Sequence, residues 1–230
     1  FVENYKASDW IPEERNTDFN NWVWRIYEDP EGRIWMSTGP TCLSIFEMET
    51  KRFHPIEVDV GSYTPGRLII DTYDEVWLTA HDGLFHGAMK GDYHLHVSLY
   101  ENPTMPKNPI DRILYDSKDR LWIVTRNIGV YCLHPEDRDS MTFTPYLHKN
   151  YQHSYTILYN AREVTEGPEG NIWFISQKEL FRYDEERDSI VPDEYFNANY
   201  QGELFSVTRD KNGVIWMGVK VGIVAYDYAE

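Results

Sequence analysis

Apolar and polar positions along this chain alternate in short runs, and the runs come in groups of four separated by turn residues. The last group is the clearest. Leu204-Phe205-Ser206-Val207-Thr208 alternates and reads as an inner strand; Asp210-Lys211-Asn212-Gly213 then turns the chain. Gly213 supplies the positive φ that such a hairpin needs. Val214 to Val219 is a second strand, apolar on both faces, and Gly222 to Tyr226 is a third. The same grammar predicts strands at 24–27, 33–38, 43–48 and 52–58, then at 67–71, 75–79, 83–88 and 93–99. A third group is expected at 110–115, 120–125, 129–133 and 141–146, and a fourth at 161–166, 171–176, 179–183 and 189–192.

Every second strand carries a tryptophan. Trp35, Trp77, Trp122, Trp173 and Trp216 lie 42, 45, 51 and 43 residues apart, each between apolar neighbours. Four of the five follow an acidic or glycine turn, and the second repeat lacks the turn glycine, having Thr72-Tyr73-Asp74. Strands apolar on both faces must be covered on both faces, and a period of 40 to 50 residues is that of a propeller blade. The expected fold is therefore an all-β β-propeller of about five four-stranded blades, near 22–59, 66–100, 109–147, 160–196 and 203–230. Each Trp is expected to fill the wedge between neighbouring sheets. The fifth group has no fourth strand; the alternating segment 1–6 is a candidate to close the ring beside Tyr226, and the competing expectation is a five-blade piece of a seven-bladed ring.

Net charge narrows the partners. With 38 acids against 22 bases the chain carries a formal charge of −16, which disfavours nucleic acid and anionic membrane surfaces. No apolar run reaches membrane-spanning length, so no direct membrane insertion by this segment is expected. The start at Phe1 reads as a processed or excised piece, with any export signal outside it. Cys42 and Cys132 fall in the first and third repeats; those blades are not neighbours in a radial array, and both cysteines read as packed free thiols.

The unit of apolar strand, Asp-x-x-Gly, x-Ile-Trp-apolar-x-Thr and Gly-Leu-Phe/Tyr-x-Tyr-Asp resembles the two-component regulator propeller repeat. It is seen in Ile26 to Thr38, in Val207 to Gly218 with Ala225-Tyr226-Asp227, and in Glu179-Leu180-Phe181-Arg182-Tyr183-Asp184. The resemblance covers about residues 22 to 228. It implies the periplasmic sensor portion of an inner-membrane hybrid two-component regulator of the kind typical of gut Bacteroidetes. Such domains sense glycan breakdown products without catalysis of their own, while a histidine kinase lies elsewhere in the parent protein. Rings of that family usually have seven blades.

Chemistry is sparse. There is no Cys-x-x-Cys or His-Glu-x-x-His, no Gly-x-Ser-x-Gly and no phosphate-binding glycine loop, so no catalytic residue, metal or cofactor is expected. His94 and His96 point to one side of a strand and read as edge polarity. The clusters Glu13-Glu14 and Asp184-Glu185-Glu186 read as solvated turns. Functional residues of propellers gather on the rim made by loops between second and third strands and between blades. That rim holds Thr38, His81, Asp82, Arg126, Asn127, Gln177, Lys178 and Lys220, and the longer loops add Trp22, Tyr63, Tyr151, His153 and Tyr155. Aromatic rings beside hydrogen-bonding side chains suit an oligosaccharide, and the long stretch around 147–160 is the first place to look. A homodimer, or a further propeller domain of the same protein, is the expected macromolecular partner. Two other functions compete. One is a protein-interaction scaffold. The other is an enzyme: Gly167-Pro168-Glu169-Gly170-Asn171-Ile172-Trp173-Phe174 is similar to the repeat of streptogramin lyases, for which His81 or His153 would serve as base.

Overall fold

The turns predicted from acidic and glycine residues do join first and second strands, and they set the start of every sheet. A computed structural model describes residues 23–29, 31–38, 42–58, 65–80, 83–101, 104, 110–125, 129–146, 163–176 and 178–228. The chain divides into two compact units, Phe1–Glu101 and Asn102–Glu230. The segment 1–6, proposed above as a closing strand, lies outside the described residues.

In the first unit, β1 (Val23–Glu28), β2 (Ile34–Thr38), β3 (Cys42–Glu47) and β4 (Arg52–Val58) pair antiparallel in chain order. So do β5 (Pro65–Ile70), β6 (Glu75–Ala80), β7 (Gly83–Met89) and β8 (His94–Leu99). One pairing was not foreseen. The last strands of the two groups, β4 and β8, run parallel and match Glu57 to His94 and Val58 to Leu95, which joins the groups into one eight-stranded sheet. An outermost strand leaves a row of unpaired backbone groups, and here two such edges satisfy part of each other. The amide of Glu57 donates to the carbonyl of Tyr93 at 2.9 Å beside this seam. His94 and His96 therefore do not sit on a simple free edge; His94 Nδ1 lies 3.7 Å from Glu57 Oε2.

The second unit holds β9 (Ile110–Tyr115), β10 (Leu121–Thr125), β11 (Gly129–Leu133) and β12 (Thr144–Tyr146) as one four-stranded sheet. A second sheet contains β13 (Glu163–Glu166), β14 (Ile172–Ile175), β15 (Leu180–Asp184) and β16 (Ser189–Pro192). A third contains β17 (Leu204–Arg209), β18 (Ile215–Val219) and β19 (Gly222–Tyr226). Strand β12 begins three residues later than its alternation suggests. A 3-10 turn at Pro135–Asp137 and a positive φ of 51° at Met141 occupy the preceding segment. A short helix, α1 (Glu194–Asn199), links the second sheet to the third and was also unforeseen. Its signal was present: Asp193 caps it, accepting from the Phe196 amide at 2.8 Å, and Glu194 opens the first turn.

These sheets are propeller blades, and Trp35, Trp122 and Trp173 sit between neighbouring blades as expected. Trp35 packs with Leu68, Ile70 and Leu78 of the following blade. Trp122 packs with Val164, Phe174 and Tyr183, and Trp173 with Leu204, Val207 and Met217. Trp35, Trp77, Trp122 and Trp173 are fully buried. Truncating a ring packed in this way costs on the order of 3–5 kcal/mol. Trp216 departs from the expectation and is only half-buried. Cys132 is a free, buried thiol, pushed far up by its apolar surroundings; the side chain of Cys42 lies outside the described residues.

Candidate functional site

Four of the five repeats are organised by a carboxylate that the strand pattern did not single out. Asp29 Oδ1 accepts from the amides of Glu31 (3.0 Å) and Arg33 (2.9 Å), while Oδ2 accepts from Trp35 Nε1 at 2.8 Å. Asp71 does the same for Tyr73, Glu75 and Trp77, the indole bond being 2.9 Å. Asp116 binds the amides of Lys118 and Arg120 and Trp122 Nε1 at 2.8 Å; Asp210 binds those of Asn212 and Val214 and Trp216 Nε1 at 2.9 Å. One side chain thus holds two turn amides and pins the indole that fills the next interface. Its signal is an Asp six residues before Trp in four of five repeats.

The turn needs a residue at positive φ, supplied by Gly32 and Gly213 but also by Asp74 (59°) and Asp119 (59°). The missing glycine of the second repeat is thereby explained, since Asp tolerates the left-handed region better than most residues. Burial pushes Asp29 up, but the bonds from Trp35 and Arg33 outweigh it and hold the carboxyl below the usual range. Asp210 is held low chiefly by the Trp216 indole.

The fourth repeat breaks the rule. Gly167 stands where the Asp would be, and Trp173 Nε1 is buried with no hydrogen-bond partner among the described residues. A β-carbon at 167 would lie 2.4 Å from that nitrogen, so the ring occupies the space a side chain would need. Next to this turn the third and fourth blades are joined by a polar network. The Arg120 guanidinium sits 5.3 Å from the Trp122 ring and 5.1 Å from that of Tyr183, bonded to Asp116 (2.7 Å) and Glu185 (3.0 Å). Glu185, read above as a solvated turn residue, thus ties two blades together, and Lys118 and Arg120 hold it below the usual carboxylate range. Tyr146 and Tyr183 both donate to Asp188 Oδ1, at 2.6 and 2.7 Å, and His134 Nε2 lies 2.9 Å from the Tyr146 oxygen. Asp188 is held low by these phenols, while burial pushes Tyr183 up to about 12.

Of the rim residues proposed above, the structure describes the side chains of two. Lys178, between β14 and β15, and Lys220, between β18 and β19, are exposed at equivalent turns of their blades. Trp22, Tyr63, His81, Asp82, Arg126, Asn127, Tyr151, His153, Tyr155 and Gln177 lie outside the described residues, as do Thr38 (side chain) and the stretch 147–160.

A groove of about 490 Å³ is described at the other end of the strands, in the first unit, lined by Glu31, Arg33, Phe46, Glu47, Asp92 and Tyr93 among others. Tyr93 stacks on His54 with centroids 4.3 Å apart and planes at 10°. Arg33 is held by Asp29 and, at 3.0 Å, by Glu31; Glu47 accepts from Thr50 Oγ1 and lies 3.5 Å from His54 Nε2. An aromatic face braced from behind, with carboxylates and a guanidinium around it, can hydrogen-bond a polyhydroxyl ligand or hold a cation. The alternation that located the strands carried no sign of it, because the lining comes from separate turns. Among the described residues no group of three or more His, Cys, Asp or Glu is placed to hold a metal ion.

Residues 18–39, spanning the first clasp, match the family described as two component regulator propeller. No curated protein matches the chain in sequence. Solved structures do match in fold. The extracellular domain of BT4673, described as a hybrid two component system of B. thetaiotaomicron, aligns at a TM-score of 0.70 and 18 % identity, covering 90 % of this chain and 28 % of that one. PorZ, a surface component of the type-IX secretion system of Porphyromonas gingivalis, aligns at 0.69 and 15 %, covering 98 % and 34 %. Virginiamycin B lyase of Staphylococcus aureus aligns at 0.64 and 17 %, covering 91 % and 66 %. The chain thus spans about a third or less of the length of the first two. The first repeat thus matches the two-component regulator propeller that the repeats resemble, and the fold is that of a propeller. Among the described residues no helix is long and apolar enough to cross a membrane.

Proposed function

We propose that this chain is part of the extracytoplasmic sensor domain of a hybrid two-component regulator, that it has no catalytic role of its own, and that its ligand is an oligosaccharide. The observation that carries this reading is the repeat itself. The clasp of the first turn falls within the stretch that matches the two-component regulator propeller and recurs in three later turns, and the fold extends over 90 % of the chain when laid on the extracellular domain of such a system. The loops between second and third strands are the proposed ligand rim, with Asp82 and Arg126 as hydrogen-bonding groups and Tyr63, Tyr151 and Tyr155 as stacking faces. The groove around Tyr93 is a second place of suitable chemistry. Signal would pass through contact with another copy or another domain of the same protein, on the periplasmic side of an inner membrane.

Thermal unfolding with a panel of oligosaccharides tests this. A ligand is expected to raise the melting temperature, since binding to the folded state alone stabilises it. Arg126→Ala and Asp82→Ala are expected to abolish the shift without lowering the ligand-free melting temperature, and Tyr93→Ala to leave it in place. A panel that moves nothing would remove glycan sensing from this chain. The fold shared with virginiamycin B lyase supports a second reading, lactone opening, with His81 or His153 as base. Metal-dependent turnover lost in His81→Ala would favour it over the sensor.

A further inference from the structure

The arginine four residues after the clasp Asp meets different surroundings in the two units. In the second, the Arg120 side chain is 7 % exposed; the ring of Tyr183 lies beside it, and the Glu185 carboxylate of the following blade accepts from it. In the first, Arg33 holds the same place and the same bond to its clasp, Asp29, at 2.6 Å. The following blade offers it no counterpart of Tyr183. Tyr183 follows the residue opposite Trp173, and the residue that follows the one opposite Trp77 is Gly87. A β-carbon there would lie 1.9 Å from the His96 carbonyl oxygen, so the close approach of β8 leaves room for no side chain. Met89 stands where Glu185 does. The Arg33 side chain is left 34 % exposed, and the groove of about 490 Å³ opens beside it, between turns of the first two blades.

We propose that this groove binds a small organic cation, an alkylammonium or alkylguanidinium group seated on the Tyr93 ring among the surrounding carboxylates. Tyr93 is 38 % exposed, and its ring is braced on one side by the parallel stack on His54, which leaves the opposite face for a ligand. The quadrupole of such a face attracts a cation placed over it. Around the ring, Glu31, Glu47, Glu49 and Asp92 bring four negative charges against the one positive charge of Arg33, and Arg33 is already engaged by Asp29 and Glu31. After burial, the charges of Glu47 and Asp92 push the Tyr93 phenol up, so their field reaches the ring. A bare divalent ion needs several oxygens converging at about 2.3–2.6 Å, and among the described residues no three acidic, histidine or cysteine side chains converge in that way. Charge spread around a ring-lined opening suits a cation carried on an organic body instead. The groove is separate from the rim loops proposed for the oligosaccharide, and the inference does not rest on them.

Isothermal titration calorimetry of the chain with agmatine tests this, with putrescine to separate ammonium from guanidinium, butanediol as the uncharged analogue and calcium chloride as the bare ion. One saturable site is expected for agmatine or putrescine, weakening as sodium chloride is raised. Tyr93→Ala should weaken it by about 2- to 30-fold, whereas Tyr93→Phe, which keeps the ring face, should retain it. Glu49→Gln and Asp92→Asn change exposed turn residues; each should weaken binding by about 2- to 5-fold and leave the ligand-free melting temperature in place. The absence of a saturable site for both amines overturns the proposal, as does butanediol binding equally well. Tyr93→Ala binding as tightly as wild type overturns it too, by leaving only a diffuse acidic surface. Calcium that saturates the groove and displaces agmatine would reassign it to a metal ion. An oligosaccharide panel that moves nothing counts against the rim reading alone and leaves these outcomes unchanged.

Discussion

The turns of the third and fourth blades carry the same tryptophan and reach it by opposite means. In the third, Asp116 gathers two amides, an indole and the Arg120 guanidinium, and the carboxylate is the hub of the turn. In the fourth, a backbone bond from the Gly167 amide to the Asn171 carbonyl (2.6 Å), a second from the Asn171 amide to the Pro168 carbonyl (3.0 Å) and the amide side chain of Asn171 do the ordering. The Trp173 nitrogen there faces Gly167 with nothing to bind. The first turn stabilises through polar satisfaction. The second stabilises through close approach of ring and backbone, and leaves one donor unmet, at a cost of about 1–3 kcal/mol. A blade of this kind needs the indole in place more than it needs the carboxylate.

The largest expected effect is on the third turn. Asp116→Ala leaves the Trp122 N–H and two amides without their acceptor and the buried Arg120 charge with the half-exposed Glu185 as its remaining carboxylate, and should destabilise by about 3–5 kcal/mol, read from urea denaturation. A loss below ~1 kcal/mol would mean that water replaces the clasp and that the two turns do not differ in kind. Next comes Gly167→Asp, which on sequence grounds alone restores the repeat. With a β-carbon 2.4 Å from Trp173 Nε1 it should instead destabilise by about 1–3 kcal/mol through overpacking; a stabilised variant would show that the ring can withdraw and take up the missing bond.

The smallest effect is on acid sensitivity. Asp29 and Asp210 have folded pKa values below their unfolded ones. Their contribution is present above the unfolded carboxylate pKa, about 3.9, and is lost as pH falls through the lower folded value. Melting temperature should therefore drop with acidification below about pH 4. Trp216→Phe removes the main hold on Asp210 and should flatten that slope slightly, whereas Trp173→Phe, which has no carboxylate partner, should leave it unchanged. Equal slopes in both variants would erase the distinction between clasped and unclasped turns.

The strand alternation, the tryptophan beat and the turns were all legible in the residues, because each depends on neighbours within a hairpin. So was the clasp, in the recurrence of Asp six positions before Trp, although reading it required asking where the indole nitrogen goes. The short helix at Glu194–Asn199 was announced by Asp193 and overlooked. The groove around Tyr93 was not legible: Glu31, Glu49 and Asp92 belong to three turns whose proximity is a property of the folded sheet. Of the rim proposed as a ligand site, Lys178 and Lys220 alone have described side chains, and they fall at equivalent turns as the repeat requires.

What this amino-acid order determined unaided was the blade, since strand period, turn geometry and the indole's position are local consequences of side-chain sequence. Tertiary structure decided the rest. It decided that β4 would find β8 alongside it and that Trp173 would press against a glycine instead of a carboxylate. Those outcomes turn on which surfaces meet, and a repeating sequence writes nearly the same surface five times without recording how each will be met.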